Sequence, residues 1–207
     1  MSDEDGDTLA AGEFGGWLES MQRALATGAP VDVPCGTCTA CCRSRQFVHV
    51  QADETETLAR IPERLLFPAP GQPAGTQLVG YDAEGRCPML GESGCSIYEH
   101  RPRACRSYDC RVFAATGVGL TDGDRPMIAR QARRWRFDYA SEDARQKHDR
   151  MLAAADSIAA ADGDQPVSFA RLALRIVSDC GDAPSADGAA SEEAGDTAAE
   201  SSPIPDR

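Results

Sequence analysis

The sequence lacks a long apolar run. None of its 207 residues falls in a stretch of the roughly 20 consecutive apolar residues that a membrane-spanning helix requires. It also lacks a leader that is first basic and then apolar, because the segment from Met1 to Asp5 is acidic. We therefore expect a cytoplasmic protein without a membrane partner.

Neither an internal repeat nor a recognisable catalytic pattern is present. The sequence has no paired carboxylates and no Ser–His or Cys–His arrangement at the spacing of a known motif. Catalytic residues meet in space rather than in sequence, so this absence leaves open whether the protein is an enzyme.

Basic residues are outnumbered by acidic ones only in the tails. The formal net charge is −12, but residues 1–20 carry six acidic and no basic side chains, and residues 179–207 carry eight acidic and one basic. Residues 21–178 hold 19 acidic and 20 basic side chains. The folded part is therefore nearly neutral, and the net charge says little about a partner.

Cysteine is abundant. The chain has nine cysteines, of which four lie between residues 35 and 42. Thiols stay reduced in the cytoplasm, so this density indicates metal binding rather than a disulfide framework. The role of Cys180, at the edge of the acidic tail, stays open. The candidate metal ligands are Cys35, Cys38, Cys41, Cys42, Cys87, Cys95, Cys105 and Cys110.

The spacing of these cysteines suits metal coordination. Cys35, Cys38 and Cys41 offer three sulfurs from one loop, as in the bacterial ferredoxins that hold a cubane cluster. Adjacent residues aim their side chains apart, so Cys41 and Cys42 should not serve one mononuclear ion. Eight thiols fit two four-thiolate sites or one polynuclear centre. Zinc and an iron–sulfur cluster both accept thiolate ligands, and the cofactor stays open between them.

Other polar residues lie near the cysteines in sequence. His49 and His100 could complete a coordination sphere, although a histidine at such a position more often only forms hydrogen bonds. Tyr98 and Tyr108 are interpreted as packing around the site. Seven arginines either offset the charge of a thiolate centre and donate hydrogen bonds to sulfur, or are solvated surface. They are Arg43, Arg45, Arg86, Arg101, Arg103, Arg106 and Arg111.

Hydrophobic periodicity predicts a small, mainly helical α+β fold with short strands around a loop-rich cysteine core. Strands are expected at 47–50 and in a hairpin that joins 77–81 to 86–90. One helix should begin at Pro126 and carry Trp135 and Tyr139 on its apolar stripe. The other predicted helices begin at Phe14, which Gly28 should end, at Asp53, at Pro102, at Ser141 and at Ser168.

Composition divides the chain into one domain and two tails. Residues 1–12 and 179–207 are predicted to be disordered and acidic. Residues 13–178 should form a single domain, with the cysteine-cluster metal-binding core at 33–112 and a helical part at 126–178.

In the stretch at 130–137, arginines alternate with aromatic residues, a pattern that is typical of a nucleic-acid-binding patch. The folded region has no basic excess, so a solvated helix face is the preferred interpretation, and nucleic acid is not expected as a partner. His148, on the next predicted helix, has no obvious partner. The stretch contains Arg130, Arg133, Arg134 and Arg136 with Trp135 and Phe137.

Three motifs follow one another in order. They are Cys35-x-x-Cys38-x-x-Cys41-Cys42, then Cys87-Pro88-Met89-Leu90, then the segment from Gly94 to Cys110 with its Ile-Tyr-x-x-Arg-Pro sequence. With them, residues 33–112 resemble the YkgJ-type cysteine-cluster family, which is described as zinc- or iron-chelating. The resemblance implies metal binding through the eight cysteines.

The resemblance leaves the activity open. Some relatives are labelled iron–sulfur oxidoreductases, and flagellin lysine N-methylases carry a similar cysteine cluster. This chain has neither a Gly-rich Rossmann site for S-adenosylmethionine nor the Cys-x-x-x-Cys-x-x-Cys motif of radical enzymes, so the methylase interpretation is the least favoured. An iron–sulfur oxidoreductase and a non-catalytic zinc-binding or metal-handling module both stay open.

Overall fold

The structure is a computed structural model that describes residues 8–31, 33–118, 120, 125–162, 173 and 175–178. Helices and short strands occur together in these ranges, which confirms the predicted α+β class. The helices are α1 (Phe14–Thr27), α2 (Thr55–Arg60), α3 (Arg103–Arg106), α4 (Arg111–Thr116), α5 (Pro126–Arg133) and α6 (Glu142–Asp162). The strands are β1 (Leu9–Glu13), β2 (Val48–Val50), β3 (Leu66–Pro68), β4 (Gln77–Val79), β5 (Leu90–Gly91), β6 (Gly94–Cys95) and β7 (Trp135–Asp138).

Both ends of helix α1 are set by residues next to them in the sequence. The Glu13 carboxylate accepts hydrogen bonds from the amides of Gly15 and Gly16, at 2.9 and 2.7 Å, which satisfies two donors of the first turn. Gly28 ends the helix with a φ of 71°, a left-handed conformation that glycine adopts without steric cost, and this stop was predicted. The buried face comprises Phe14, Trp17, Leu18 and Met21.

The segment directly before α1 is a strand, where the sequence predicted a disordered tail. β1 pairs in parallel with β7, with Leu9 opposite Trp135 and Glu13 opposite Asp138. The strand consists mainly of small residues without β-branching, so its own sequence gives little signal. Its partner lies far along the chain, and that long-range pairing gives the segment its order.

Helix α5 is shorter than predicted, and the expectation of one apolar stripe through Trp135 and Tyr139 is wrong. The helix ends at Arg133, and the next residues form β7. In this strand the aromatic Trp135 and Phe137 alternate with the exposed Arg136 and Asp138, which is the period of a strand. Both rings pack against the same core as a result.

The central sheet has the antiparallel order β2-β4-β3. The predicted turn after β4 forms, since the Gly85 amide donates to the Asp82 carbonyl at 2.9 Å. The predicted strand over 86–90 does not form, so the expected hairpin is wrong. Pro88 has no amide hydrogen for a ladder, and both edges of β4 are already occupied by β2 and β3.

Buried apolar residues form two cores among the described residues. The larger one lies between α1, α4, α5, α6 and β7, and the smaller one lies against the β2-β4-β3 sheet. The larger core includes Phe14, Leu18, Phe113, Ile128, Trp135 and Met151. The smaller core consists of Val50, Ile61, Val79 and Ile97.

The C-terminal helix α6 begins as predicted. The Ser141 hydroxyl accepts a hydrogen bond from the Ala144 amide at 3.1 Å, which caps the first turn. Residues 173 and 175–178 are helical, whereas the rest of the predicted helix over 168–177, the tail at 179–207 and Cys180 lie outside the described residues. Within the described ranges, no helix has the length and apolar character needed to cross a membrane.

His148, on α6, is a core residue with several partners, contrary to expectation. Its ring stacks on that of Phe14, with 4.3 Å between centroids and 15° between planes. Its Nε2 atom lies 3.0 Å from the carbonyl oxygen of Ala115, and its Nδ1 atom lies 2.8 Å from the hydroxyl of Tyr139. A carbonyl only accepts, so Nε2 carries the proton of the neutral ring and Nδ1 accepts from Tyr139.

A buried ion pair joins the beginning of the chain to α4. The Asp109 carboxylate, which is fully buried, accepts from the Arg111 guanidinium at 2.8 Å and from the Trp17 indole N–H at 2.9 Å. Arg111 also donates to the Ala11 carbonyl at 2.9 Å. These bonds connect α1 and β1 to the segment that carries Cys110.

Replacing this buried carboxylate should destabilise the fold strongly. Asp109→Ala leaves the guanidinium of Arg111 without its main counter-charge, which typically costs about 3–5 kcal/mol of the free energy of unfolding. Urea unfolding of the variant measures this loss. The matched control is Asp82→Ala, because Asp82 forms a solvent-exposed pair with Arg86 and its loss should change stability little. Equal effects of the two substitutions would contradict the argument.

The buried imidazole should make stability depend on pH. Burial lowers the pKa of His148 below its ordinary value of about 6.5. The unfolded chain then binds a proton that the folded chain does not, so the free energy of unfolding should fall as the pH drops below about 6.5. Urea unfolding from about pH 8 to about pH 5.5 tests this, and His148→Gln should flatten the slope in that window. An unchanged slope in the variant would show that another group is responsible.

Candidate metal centre

The first cysteines lie in a tight loop that leads into a 3-10 turn at Cys41–Arg43. Gly36 has a φ of 54°, a conformation that glycine enters without steric cost, and the Cys38 amide donates to the Cys35 carbonyl at 2.9 Å. The Ala40 amide donates to the sulfur of Cys38 at 3.5 Å. The local backbone therefore forms the compact loop that the Cys-x-x-Cys spacing predicts.

Four of the eight cysteines line one small cavity of about 30 Å³. Three of them come from the loop, and the fourth, Cys110, immediately precedes α4. A cavity of this volume holds a body of roughly one or two waters, and so has room for a single ion. Ala40, Tyr108, Ile128 and Gln131 complete its lining. The first group is defined as Cys35, Cys38, Cys41 and Cys110.

The other four cysteines are neighbours of one another. The Cys87 amide donates to the Cys42 carbonyl at 2.7 Å, and the turn that follows Cys87 leads into the β5–β6 pair that carries Cys95. Cys105, on α3, is close enough to these three thiols for their negative charge to raise its pKa. The second group is defined as Cys42, Cys87, Cys95 and Cys105.

The two cores divide four of the cysteines in the same way. Cys38 and Cys110 pack with the larger core, whereas Cys87 and Cys95 pack against the smaller one. Cys41 and Cys42 are adjacent in sequence, yet one lines the first cavity and the other has Cys87 and Cys95 as its main electrostatic neighbours. The expectation that adjacent side chains point apart is consistent with this separation.

Burial raises the pKa of most of these thiols, and the charge of neighbouring thiolates adds to the effect. The pKa of Cys42 rises to about 11, and those of Cys105 and Cys110 rise to about 12. Cys105 is exposed as a residue, although the surrounding protein desolvates its sulfur. A bound cation reverses this tendency, because it deprotonates coordinating thiols outright. Burial acts in the same direction on Cys35, Cys41 and Cys87.

The donor atoms fit a zinc or iron ion, although they are not at coordinating distances. Within the described residues, no three cysteine, histidine or carboxylate side chains stand at the spacing of a formed metal site. The two groups are therefore defined by the shared cavity, the mutual electrostatics and the two cores. Each offers the four thiols of a closed tetrahedral site, and rotation about χ1 moves a cysteine sulfur without moving the backbone.

Two aromatic side chains reach the first group. The Trp135 indole N–H donates to the sulfur of Cys110 at 3.2 Å. The Tyr108 hydroxyl is buried at the cavity and has no hydrogen-bond partner among the described residues. Hydrogen bonds to coordinating sulfur are known to tune metal sites. Sequence reasoning missed the role of Trp135 because it assigned this residue to a helix, and nothing in the sequence pairs it with Cys110.

The predicted histidines have other surroundings. His49 lies in β2 opposite Leu78, and His100 has its Nδ1 atom 3.5 Å from a carboxylate oxygen of Glu56. Neither belongs to a group of three metal-binding side chains within the described ranges.

The arginines near the cysteines divide into two sets. Arg43 and Arg101 are close enough to lower the pKa of Cys42 and of Cys105, respectively, against the larger effect of burial. Others form pairs that do not involve cysteine, as Arg86 does with Asp82 at 3.0 Å. Arg103 pairs with Asp53 at 2.8 Å, and Arg106 donates to the Arg101 carbonyl at 2.9 Å.

The arginine-rich stretch at 130–136 differs from a nucleic-acid patch in one respect. Trp135 is buried and Phe137 is half-buried, and both pack with the larger core, so neither ring is free to stack on a base. Arg136 donates to the backbone carbonyl of Trp135 at 2.9 Å, and Arg134 donates to the side chain of Gln131 at 3.1 Å.

Residues 34–131 match the family model CxxCxxCC, whose description reads "Putative zinc- or iron-chelating domain". The matched range contains both cysteine groups and reaches into α5. No curated protein and no solved structure matches the chain. The predicted resemblance to a cysteine-cluster domain that chelates zinc or iron is confirmed, and the match extends beyond residue 112. Residues 34–131 are therefore similar to the zinc- or iron-chelating domains that this model describes.

Proposed function

We propose that this domain is a non-catalytic zinc-binding module that holds two ions, each through four thiolates. The observation that carries this proposal is that four cysteines line one cavity, whereas the other four are neighbours of one another. Each group also contributes two cysteines to a different core. The family match supports metal chelation in general, and the division into two groups is our reason for the finer assignment.

Zinc is favoured by the size and composition of the first group. Its four thiols are the full ligand set of one closed tetrahedral zinc ion, and its cavity of about 30 Å³ has room for one ion. A four-thiolate zinc ion is closed, because no coordination position remains for water or substrate, and it supplies folding free energy rather than catalysis.

The chain's own residues explain why such ions would matter for the fold. Among the residues that the structure describes, the smaller core has four buried apolar residues, and the other apolar residues packed against it are only partly buried. Its hydrophobic stabilisation of the sheet and the turns around it is therefore small. Four thiolates on one ion would link the turn that carries Cys42 to the β5–β6 pair and to α3. The same reasoning applies to the first group, which would fix the beginning of α4 against the loop at residues 35–41.

An iron–sulfur oxidoreductase is the second candidate. It is favoured by the ferredoxin-like spacing of Cys35, Cys38 and Cys41, together with the N–H donors that reach the sulfurs of Cys38 and Cys110. Such donors influence the reduction potential of a cluster, so in a redox centre they would tune that potential.

Elemental analysis of the full chain, purified without oxygen, distinguishes the two candidates. We expect colourless protein with about two equivalents of zinc and no acid-labile sulfide, because each closed site takes one ion. Brown protein that contains iron and sulfide, with visible absorption that bleaches on reduction, would replace the zinc proposal with the iron–sulfur one. Protein that binds neither metal after anaerobic reconstitution would contradict both.

Single substitutions should separate the two centres. Cys110→Ser removes a ligand of the first group and Cys105→Ser one of the second, so each variant should lose about one of two zinc equivalents, and the double variant both. Metal content after gel filtration measures this. Cys180→Ser is the matched control, since Cys180 lies outside the three cysteine motifs of the sequence. If either single substitution abolished all metal binding, a single polynuclear centre would be the better description.

A further inference from the structure

Tyr108 has a buried hydroxyl group without a partner. Its oxygen is inaccessible to solvent and has no hydrogen-bond partner in the part of the chain that the structure describes. The guanidinium of Arg125 is near enough to oppose the rise in the pKa of this phenol, but it does not complete a hydrogen bond of normal geometry. A buried polar atom of this kind is rare in folded proteins and requires an explanation.

The surroundings of the hydroxyl indicate what its partner is. Tyr108 lies on the wall of the same cavity as the four thiols of the first group. Cys41 is the thiol with the strongest electrostatic effect on the phenol, followed by Cys110. Cys110 already accepts a hydrogen bond from the Trp135 indole, and Cys38 accepts one from the Ala40 amide. Of the other two thiols, Cys41 is the one whose charge raises the pKa of the phenol.

We infer that the Tyr108 hydroxyl donates a hydrogen bond to the Cys41 thiolate of the first metal centre. This inference rests on the proposed four-thiolate site. A thiolate is a charged acceptor, and hydrogen bonds to charged groups are the stronger ones in proteins. The bond would hold the sulfur in its coordinating orientation, which makes Tyr108 a positioning residue and not a ligand.

The tyrosine between two cysteines of the second group does not have a buried hydroxyl like that of Tyr108. Tyr98, which lies between Cys95 and Cys105 in sequence, is 52% exposed, and its ring is covered by the guanidinium of Arg101 at 4.0 Å. The two groups therefore differ in their surroundings, although each has four thiols. The first centre should retain its ion more firmly than it would without Tyr108, whereas the second should not depend on a phenol.

Tyr108→Phe tests this inference, because it removes the hydroxyl and keeps the ring. The full chain is loaded with zinc, and its release to a chromogenic chelator is followed. One of the two equivalents should bind roughly tenfold more weakly or worse, as expected when a charged acceptor loses its donor. The other equivalent should be unchanged. Tyr98→Phe is the matched control and should behave like the parent protein.

A second measurement separates this role from simple packing. In metal-free protein the hydroxyl has no thiolate to which it can donate. Tyr108→Phe should then leave thermal stability unchanged or raise it, because the substitution removes a desolvated polar atom. In zinc-loaded protein the same variant should be less stable than the parent. An equal loss of stability in both states would assign Tyr108 to packing alone.

The outcomes also distinguish this inference from the proposed function. If the parent chain binds two zinc ions and Tyr108→Phe releases both as slowly as the parent, only the inference about Tyr108 fails. A phenolate-to-metal absorption band in protein loaded with iron(III) would make Tyr108 a ligand and overturn the positioning role. If the parent chain binds no metal, the proposed function fails first and the inference with it.

Discussion

Adjacent side chains usually point apart, and this constraint explains why Cys41 and Cys42 have different neighbours. The 3-10 turn at Cys41–Arg43 carries one cysteine of each group in consecutive positions. Cys41 lines the same cavity as Cys110, which packs with the larger core. Cys42 is an electrostatic neighbour of Cys87, which packs with the smaller core. A single peptide bond connects the two groups, so any shift of this turn changes both.

The buried carboxylate of Asp109 has a comparable role in the segment that carries Cys110. It lies between Tyr108 and Cys110 in sequence, and its bonds to Trp17 and Arg111 hold this segment against α1. Exposed ion pairs elsewhere contribute far less, because water and salt screen them. The position of Cys110 therefore depends on a buried interaction and not on the many arginines at the surface.

Local signals predicted part of this structure well. The cysteine motifs predicted the similarity to zinc- or iron-chelating domains, and the spacing of apolar residues with a final glycine predicted α1. The failures were non-local. β1 and β7 obtain their order from each other, and no rule of local periodicity could have paired them. Tyr98 and Tyr108 look alike in sequence, since both flank cysteines, yet only the tertiary fold exposes one ring and buries the hydroxyl of the other. The separation of adjacent cysteines was foreseeable from side-chain geometry, but the partner of each was not.

The parallel pairing of β1 with β7 has a consequence for synthesis of the chain. Leu9 leaves the ribosome long before Trp135, its opposite residue in the register. During this interval β1 lacks its partner strand β7. The apolar side chains of α1 also lack the residues of α5 and α6 that they pack against in the folded protein. Contacts of such large sequence separation form late and slow folding, so nascent chains stay vulnerable to association until most of the polypeptide has emerged.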